Sequence, residues 1–165
     1  GYLDLLKGIE KTLKIYPDIF EFNFAGSFKC KEDEVNFKKI IKSSKNIIYH
    51  GFVDDFKKKE LLHKSHIFCL PTKYNEGQPI SILEAYASGC VVLTTPKPGI
   101  LDIFKKDING YLIEEGSPSS IKNILVSLVS KKDEFQNIGK LNLQIANKIY
   151  RQNLYCERIQ SLLNG

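Results

Sequence analysis

Arginine is scarce in this sequence: of the 24 basic residues among 165, only Arg151 and Arg158 are arginines. The net charge of +5 therefore comes from lysines, which lie in short groups such as 57–59 and 131–132. Such groups are typical of solvated helix faces. A nucleic-acid interface would favour arginines interleaved with aromatic residues, so we expect no nucleic-acid partner. A weak attraction to anionic lipid head groups fits the charge better, and solubility alone explains it most simply.

Four further absences exclude classes of protein. The four cysteines (Cys30, Cys69, Cys90 and Cys156) have no C-x-x-C spacing, so we expect no zinc site and no disulfide framework, as in a reducing cytoplasm. No run of about 18 apolar residues appears, so no part of this sequence is predicted to span a membrane. No G-x-G-x-x-G follows a strand, which argues against a nicotinamide-binding domain, and the acidic cluster of a receiver-like module is absent.

What remains is an alternation of helix and strand patterns. The strands are predicted at residues 21–25, 46–50, 66–70, 91–94 and 110–113, and the helices at 2–15, 33–43, 56–64, 79–88 and 100–104, with helical composition from Ser117 to about 163. The runs 67–70 and 91–93 are continuously apolar, as expected for strands with helices on both faces. The sequence predicts an α/β fold with a doubly wound parallel sheet, in one domain spanning residues 1–165.

The most informative stretch runs from Glu76 to Glu84 and on through Gly89 into an apolar strand. It predicts a helix that opens at Pro79, with one carboxylate before it and one inside it. The first turn of such a helix offers free N–H groups and a positive dipole end to a phosphate, and the carboxylates can accept hydrogen bonds from sugar hydroxyls. A nucleotide-sugar would place its diphosphate there, its ribose near Glu84 and its hexose near Glu76. Two glutamates eight residues apart are weak evidence alone.

Together with its neighbours, this motif resembles the donor-binding, C-terminal half of GT-B fold glycosyltransferases, specifically glycosyltransferase family 4 (group 1). The resemblance covers nearly the whole chain. It includes the segments 1–6, Ala25-Gly26-Ser27, Gly51-Phe52-Val53, 68–72, 76–89 and 109–113. It implies a Rossmann-like doubly wound parallel sheet.

The resemblance also implies roles for individual residues. Glu76 would be catalytic, accepting from a sugar hydroxyl and orienting the anomeric carbon, while Glu84 would bind both ribose hydroxyls. The remaining expected donor-binding residues are Gly77, Gln78, Pro79, Ile80, Ser81, Phe52, Val53 and Gly26. Pro79 contributes only shape because it has no N–H, and Phe52 and Val53 would border the nucleobase. A tight turn explains Gly26 equally well, and His50 is a weaker candidate at the same edge.

For the whole protein, the resemblance implies a retaining, metal-independent hexosyltransferase. It would use a nucleoside-diphosphate sugar, with uridine diphosphate favoured, and a glycan or lipid acceptor bound by an N-terminal domain absent from this sequence. The resemblance places a strand before Gly1, together with an arginine and a lysine that bind the diphosphate. Because these two cations are missing from this sequence, we expect the isolated chain to be inactive. The helices from about 145 to 165 are expected to pack toward that domain. We expect a cytoplasmic location, and peripheral association of the full-length protein with the inner face of a membrane stays open.

Two departures from the family pattern, Gln78-Pro79 and Pro98-Gly99, leave the identity of the sugar open. An alternative also remains, in which the chain is a catalytically inactive donor-binding or scaffold domain.

Overall fold

The computed structural model describes residues 1–150 and 160–161. The elements in chain order are α1 (Tyr2–Leu13), β1 (Phe22–Phe24), α2 (Lys31–Ile41), β2 (Ile47–Tyr49), α3 (Asp55–Lys64), β3 (Ile67–Leu70), α4 (Ile80–Ala87), β4 (Val91–Thr94), α5 (Pro98–Leu101), β5 (Gly110–Leu112), α6 (Pro118–Val129) and α7 (Lys132–Ile149). Every strand and helix predicted within the described residues occurs. The largest shift is in α5, which begins at Pro98 rather than near Ile100, because proline suits the first turn of a helix. The helices predicted beyond Tyr150 lie mostly outside the described residues.

All strand pairs are parallel, so the predicted fold class is confirmed. The strands form two sheets rather than one continuous sheet. The first contains β1 and β2, with Phe22 opposite Ile47, and the second has the order β3-β4-β5, with Ile67 opposite Val91. A cavity of about 990 Å³ lies between β1 and β3 and is lined by residues of both strands.

The hydrophobic core is centred on β4, whose four residues are all buried, as its apolar sequence predicts. Val92 joins a cluster beneath α4 and α7 that contains the buried Tyr86, whereas Val91 and Leu93 join a cluster beneath α6. A third, largely aromatic cluster around Phe37 fills the space between α1, α2 and the first sheet. Among the described residues, no helix combines the length and apolarity needed to cross a bilayer.

A close contact between α1 and α6 joins the first sheet to the second. A Cβ atom at Gly8 would lie only 2.8 Å from the Cβ and Cγ2 atoms of Ile121, so a residue without a side chain is needed there. Leu6 and Ile9 of α1 are buried against the aromatic cluster, while Ile121 belongs to the cluster beneath α6. Because α1 contributes to both sides, it spans the boundary between the two sheets.

A buried amide network fixes α7 to the second sheet. The fully buried Asn142 donates from Nδ2 to the carbonyl oxygens of Cys90 at 2.8 Å and Asn109 at 2.9 Å. The Asn109 Nδ2 donates to Asn142 Oδ1 at 2.9 Å, and Asn109 Oδ1 accepts from the Lys105 backbone N–H. The Asn142 side chain therefore bonds to three polar groups, the carbonyl of Cys90 directly before β4 and the carbonyl and side-chain amide of Asn109 directly before β5.

We predict that Asn142→Ala lowers the free energy of unfolding by about 2–4 kcal/mol, because the Cys90 carbonyl and the Asn109 side-chain amide lose this partner, whereas the Asn109 carbonyl keeps the Val92 N–H. Urea unfolding followed by circular dichroism measures the change. Gln144→Ala, an exposed position on the same helix, controls for helix propensity and should change stability by about 0.5 kcal/mol or less. A loss below about 1 kcal/mol for Asn142→Ala would contradict the importance of the network.

Candidate functional site

The loops that follow β1 and β2 are tied together at the carboxyl edge of the first sheet. The backbone N–H of Gly26 donates to the Gly51 carbonyl at 2.8 Å, and the hydroxyl of Tyr49 donates to the Gly26 carbonyl at 2.9 Å. Gly26 has φ of 132° and Gly51 has φ of 67°, values that favour glycine. Both loops are thereby held in a conformation that leaves backbone accessible at this edge.

The cavity between β1 and β3 reaches the same edge, where Gly26 and Phe52 line it. Five of the predicted donor-binding residues line it, namely Gly26, Phe52, Val53, Ser81 and Glu84. Phe52 is 82% exposed, which leaves its ring free to meet a ligand. The cavity thus brings together predicted residues from three separate segments of the sequence.

The remaining predicted residues, Glu76, Gly77, Gln78, Pro79 and Ile80, do not line that cavity and lie on the loop before α4 and at its first residue. Glu76 is half-buried, and its Oε1 accepts a hydrogen bond from the Thr72 hydroxyl at 2.8 Å. Thr72 is itself fixed by the Thr95 hydroxyl, which donates to its carbonyl at 2.7 Å. The Glu76 carboxylate is therefore positioned through Thr72 by the end of β4.

The N-terminus of α4 is open. The helix begins at Ile80, directly after Pro79 and one position later than predicted. Among the described residues, no side chain caps the helix there. The Pro79 carbonyl accepts from the Ile82 N–H at 3.0 Å, while Ile80 is 72% exposed. The N–H groups of a first turn have no partner within their own helix. An anion can therefore bind at this helix end.

Glu84 already has a partner. The Nζ of Lys58 on α3 lies 2.7 Å from Glu84 Oε1 and 3.1 Å from the carboxylate of Asp55. The hydrogen bond to Glu84, and next the one to Asp55, raises the pKa of Lys58. Sequence analysis missed this contact, because Lys58 lies in a lysine triplet typical of a solvated helix face. The pair places one positive charge beside the predicted ribose position.

Gly99 is a second residue whose role the sequence did not reveal. A Cβ atom at Gly99 would overlap the carbonyl oxygens of Glu76 and Gly77, so α5 packs directly against the loop before α4. Any side chain at position 99 would displace that loop. Glycine at this position thus sets the location of the Glu76 backbone.

Other polar groups near this edge are paired. His50 lies with Nε2 at 2.7 Å from Asn23 Oδ1, and Lys73 pairs with Asp4 at 2.7 Å. The hydrogen bond to Asp4 raises the pKa of Lys73. Within the described residues, no three potential metal ligands come together.

The sequence profile of the family described as "Glycosyl transferases group 1" matches residues 1–144. The chain belongs to this family. An uncharacterized glycosyltransferase of Methanocaldococcus jannaschii is 28% identical over 126 residues, which cover 73% of this chain and 32% of that protein. The chain thus spans about a third of the length of this relative.

Solved structures agree with this assignment. The C-terminal domain of a group 1 family protein from Francisella tularensis has a TM-score of 0.80 and 25% identity, covering 92% of this chain and 80% of that one. Anabaena HepE in complex with UDP-glucose has a TM-score of 0.84 and 17% identity, covering 99% of this chain and 45% of that one. This group 1 glycosyltransferase chain therefore has the Rossmann-like fold of a GT-B C-terminal domain.

We predict that Gly99→Ala destabilises the protein by about 1–3 kcal/mol, because its new methyl group displaces the loop that carries Glu76. Gly77→Ala is the matched control, since a Cβ there meets no atom within 4 Å. Thermal unfolding compares stability, and two-dimensional NMR should show shifts from Thr72 to Ile80 in Gly99→Ala. Equal effects of the two substitutions would contradict this packing role.

Proposed function

We propose that this chain is the donor-binding domain of a retaining glycosyltransferase that transfers a hexose from UDP-sugar to a glycan or lipid acceptor. The observation that carries this proposal is the position of two carboxylates around an open helix end. Glu76 lies before α4, and Glu84 lies on α4 and lines a cavity together with Gly26, Phe52, Val53 and Ser81. The end of α4 between them suits a phosphate group.

In this proposal, the donor diphosphate binds at the N-terminus of α4. Backbone N–H groups of Ile80 and Ser81, with those of Gly77 and Gln78, donate to phosphate oxygens, and the helix dipole favours the negative charge that grows as the diphosphate leaves. The bond between the anomeric carbon and the phosphate oxygen breaks while the acceptor oxygen bonds to that carbon from the same face, and the acceptor's proton passes to the departing phosphate oxygen. The proposed mechanism needs no resident metal ion.

Each of the two carboxylates binds one sugar of the donor. Glu84 accepts hydrogen bonds from both ribose hydroxyls, and Glu76, held by Thr72, accepts from a hexose hydroxyl and orients the anomeric carbon. Phe52 and Val53 border the base. The UDP-glucose complex of Anabaena HepE supports a uridine donor, because that protein shares the fold of this chain.

The acceptor and the full activity belong to a longer protein in this proposal, since the chain spans about a third of its relative's length. The isolated chain is proposed to bind donor without transferring it. The free thiols of Cys30, Cys69 and Cys90 support a reducing, cytoplasmic location, and membrane association would come from the rest of the protein. The Lys58 contact to Glu84 favours a second candidate, a donor-site scaffold that has lost transfer activity.

We predict that UDP binds this chain and that Glu84→Ala weakens its affinity at least tenfold, because two charge-assisted hydrogen bonds are lost. Ligand-observed NMR with uridine, guanosine and adenosine diphosphates measures binding and identifies the preferred base. Glu60→Ala is the matched control: this carboxylate also pairs with lysines but does not line the cavity, so UDP affinity should change less than about twofold. Equal effects of both substitutions would overturn the ribose assignment.

We predict that Glu76→Ala in the full-length protein lowers kcat for hexose transfer at least a hundredfold and leaves UDP affinity within about threefold. The reason is that, in the proposed complex, Glu76 contacts the hexose of the donor and not its UDP part. Radiolabelled donor transfer gives kcat, and UDP titration gives affinity. Unchanged transfer with Glu76→Ala and with Glu84→Ala would refute the site. A full-length protein that binds UDP without transferring sugar would support the scaffold candidate.

We predict that Lys58→Met tightens UDP binding about twofold to fivefold, because the ammonium and the ribose hydroxyls compete for the same carboxylate oxygen. Titration at low and high salt measures the effect, which should shrink as salt rises. Lys57→Met, which removes a lysine paired with Glu60, is the control. Weaker UDP binding by Lys58→Met would indicate that the ammonium contacts the nucleotide instead.

A further inference from the structure

The loop that carries Glu76 is exposed over most of its length. Its first buried residue is Thr72, whose hydroxyl accepts the backbone N–H of Tyr74 at 3.1 Å and donates to Glu76 at 2.8 Å. The residues 73–75, 77 and 78 are exposed. Hydrogen bonds within a turn set the shape of that turn, but they do not fix it relative to the rest of the fold. The position of Glu76 therefore depends on contacts between this loop and other elements.

Lys73 ties the loop to α1. Its Nζ lies 2.7 Å from the carboxylate of Asp4, whose side chain is only 16% exposed. Asp4 lies in the first turn of α1, where the helix dipole favours a negative charge. The helix is itself held in place, because Leu6 and Ile9 are buried in the core. Asp4 is thus a fixed anion in contact with the residue directly after Thr72.

A second ion pair holds α5, which packs against the same loop. Lys97, the residue before α5, has a side chain that is 13% exposed, and its Nζ lies 2.6 Å from the carboxylate of Glu115 on the loop after β5. Gly99 of α5 packs directly against the backbone of Glu76. The contact between Lys97 and Glu115 therefore holds the surface against which the Glu76 backbone lies.

The two ion pairs are linked through Glu115. The hydrogen bond to Asp4 is the largest cause that raises the pKa of Lys73, and the charge of Glu115 also raises it. The charges alternate in sign in the order Asp4, Lys73, Glu115 and Lys97, and we call these four residues the charge network. An isolated surface pair contributes little, whereas several charges that form a network hold a geometry better. The network joins the start of α1 to the loops after β3, β4 and β5.

We propose that the charge network fixes the loop before α4 and so positions the Glu76 carboxylate for sugar transfer. Asp4 and Lys73 are then positioning residues, which contact no substrate and act through the loop. This inference rests on the proposed function, in which Glu76 orients the anomeric carbon. A displacement of about 1 Å in such a group can lower the rate by about a hundredfold. The network should therefore affect kcat and leave the affinity for UDP unchanged.

The first test needs no substrate. NMR relaxation of this chain should give order parameters of about 0.85 for the backbone amides of Tyr74 and Glu76, and Lys73→Met should lower them below about 0.6. Lys73→Arg keeps the charge and should keep the loop rigid. Lys45→Met is the matched control, because Lys45 also pairs with a carboxylate, that of Asp18 at 2.8 Å, but precedes β2 at the amino edge of the first sheet. Unchanged order parameters in Lys73→Met, or a mobile loop before any substitution, would overturn the proposal.

The second test measures transfer by the full-length protein. Lys73→Met and Asp4→Asn should each lower kcat about fivefold to fiftyfold and leave UDP affinity within about twofold. The double substitution should lower kcat no further than either single one, because both remove the same ion pair. Lys73→Arg should keep kcat within about threefold of the original value, and Lys45→Met should leave it unchanged.

The outcomes separate this inference from the proposed function. Loss of transfer in Glu76→Ala together with an unchanged kcat in Lys73→Met would overturn the positioning role and leave the proposed function standing. UDP binding weakened more than about tenfold by Lys73→Met would also overturn it, because the ammonium would then contact the diphosphate. Unchanged transfer in Glu76→Ala would refute the proposed function and the effect of the network on transfer. The order parameters would still decide whether the network fixes the loop.

Discussion

Parallel pairing of every strand is the constraint on which the proposed site depends. Because the strands run in one direction, the loops after β1, β2, β3 and β4 all emerge at the carboxyl edges of their sheets. Residues far apart in sequence, such as Gly26, Phe52 and Glu84, therefore line one cavity. A single antiparallel strand would send its loop to the opposite edge. Strand direction thus decides which side chains come together at the site.

The same constraint explains how much could be predicted from sequence. The apolar run 91–93 predicts a strand buried on both faces, and Val91, Val92 and Leu93 are fully buried. The stretch between Glu76 and Glu84 predicts a loop and a helix opening near Pro79, and α4 begins at Ile80. These features depend on neighbours along the chain, where hydrophobic period and proline geometry act directly. The family resemblance added the roles of the residues, which local patterns alone do not carry.

Contacts between distant segments were not predictable in this way. Lys58 looks like one lysine in a solvated triplet until folding brings it to Glu84, 26 residues later. Asn142 looks like an ordinary polar residue of a helix until its amide meets Cys90 and Asn109. Gly99 resembles a loop glycine, although its missing side chain leaves space for the Glu76 backbone. Neither periodicity nor composition encodes such contacts, because each depends on the register in which whole elements pack.

The contact between Gly8 and Ile121 has a consequence for synthesis on the ribosome. These residues are 113 positions apart, yet their helices hold the first sheet against the second. At roughly 5–20 residues per second, about 6–23 seconds pass between the synthesis of Gly8 and that of Ile121. During that interval Leu6 and Ile9 can already pack against the aromatic cluster, but the face of α1 that carries Gly8 lacks α6 and is available to chaperones. The order of synthesis therefore delays the closure of this domain until Ile121 has been made.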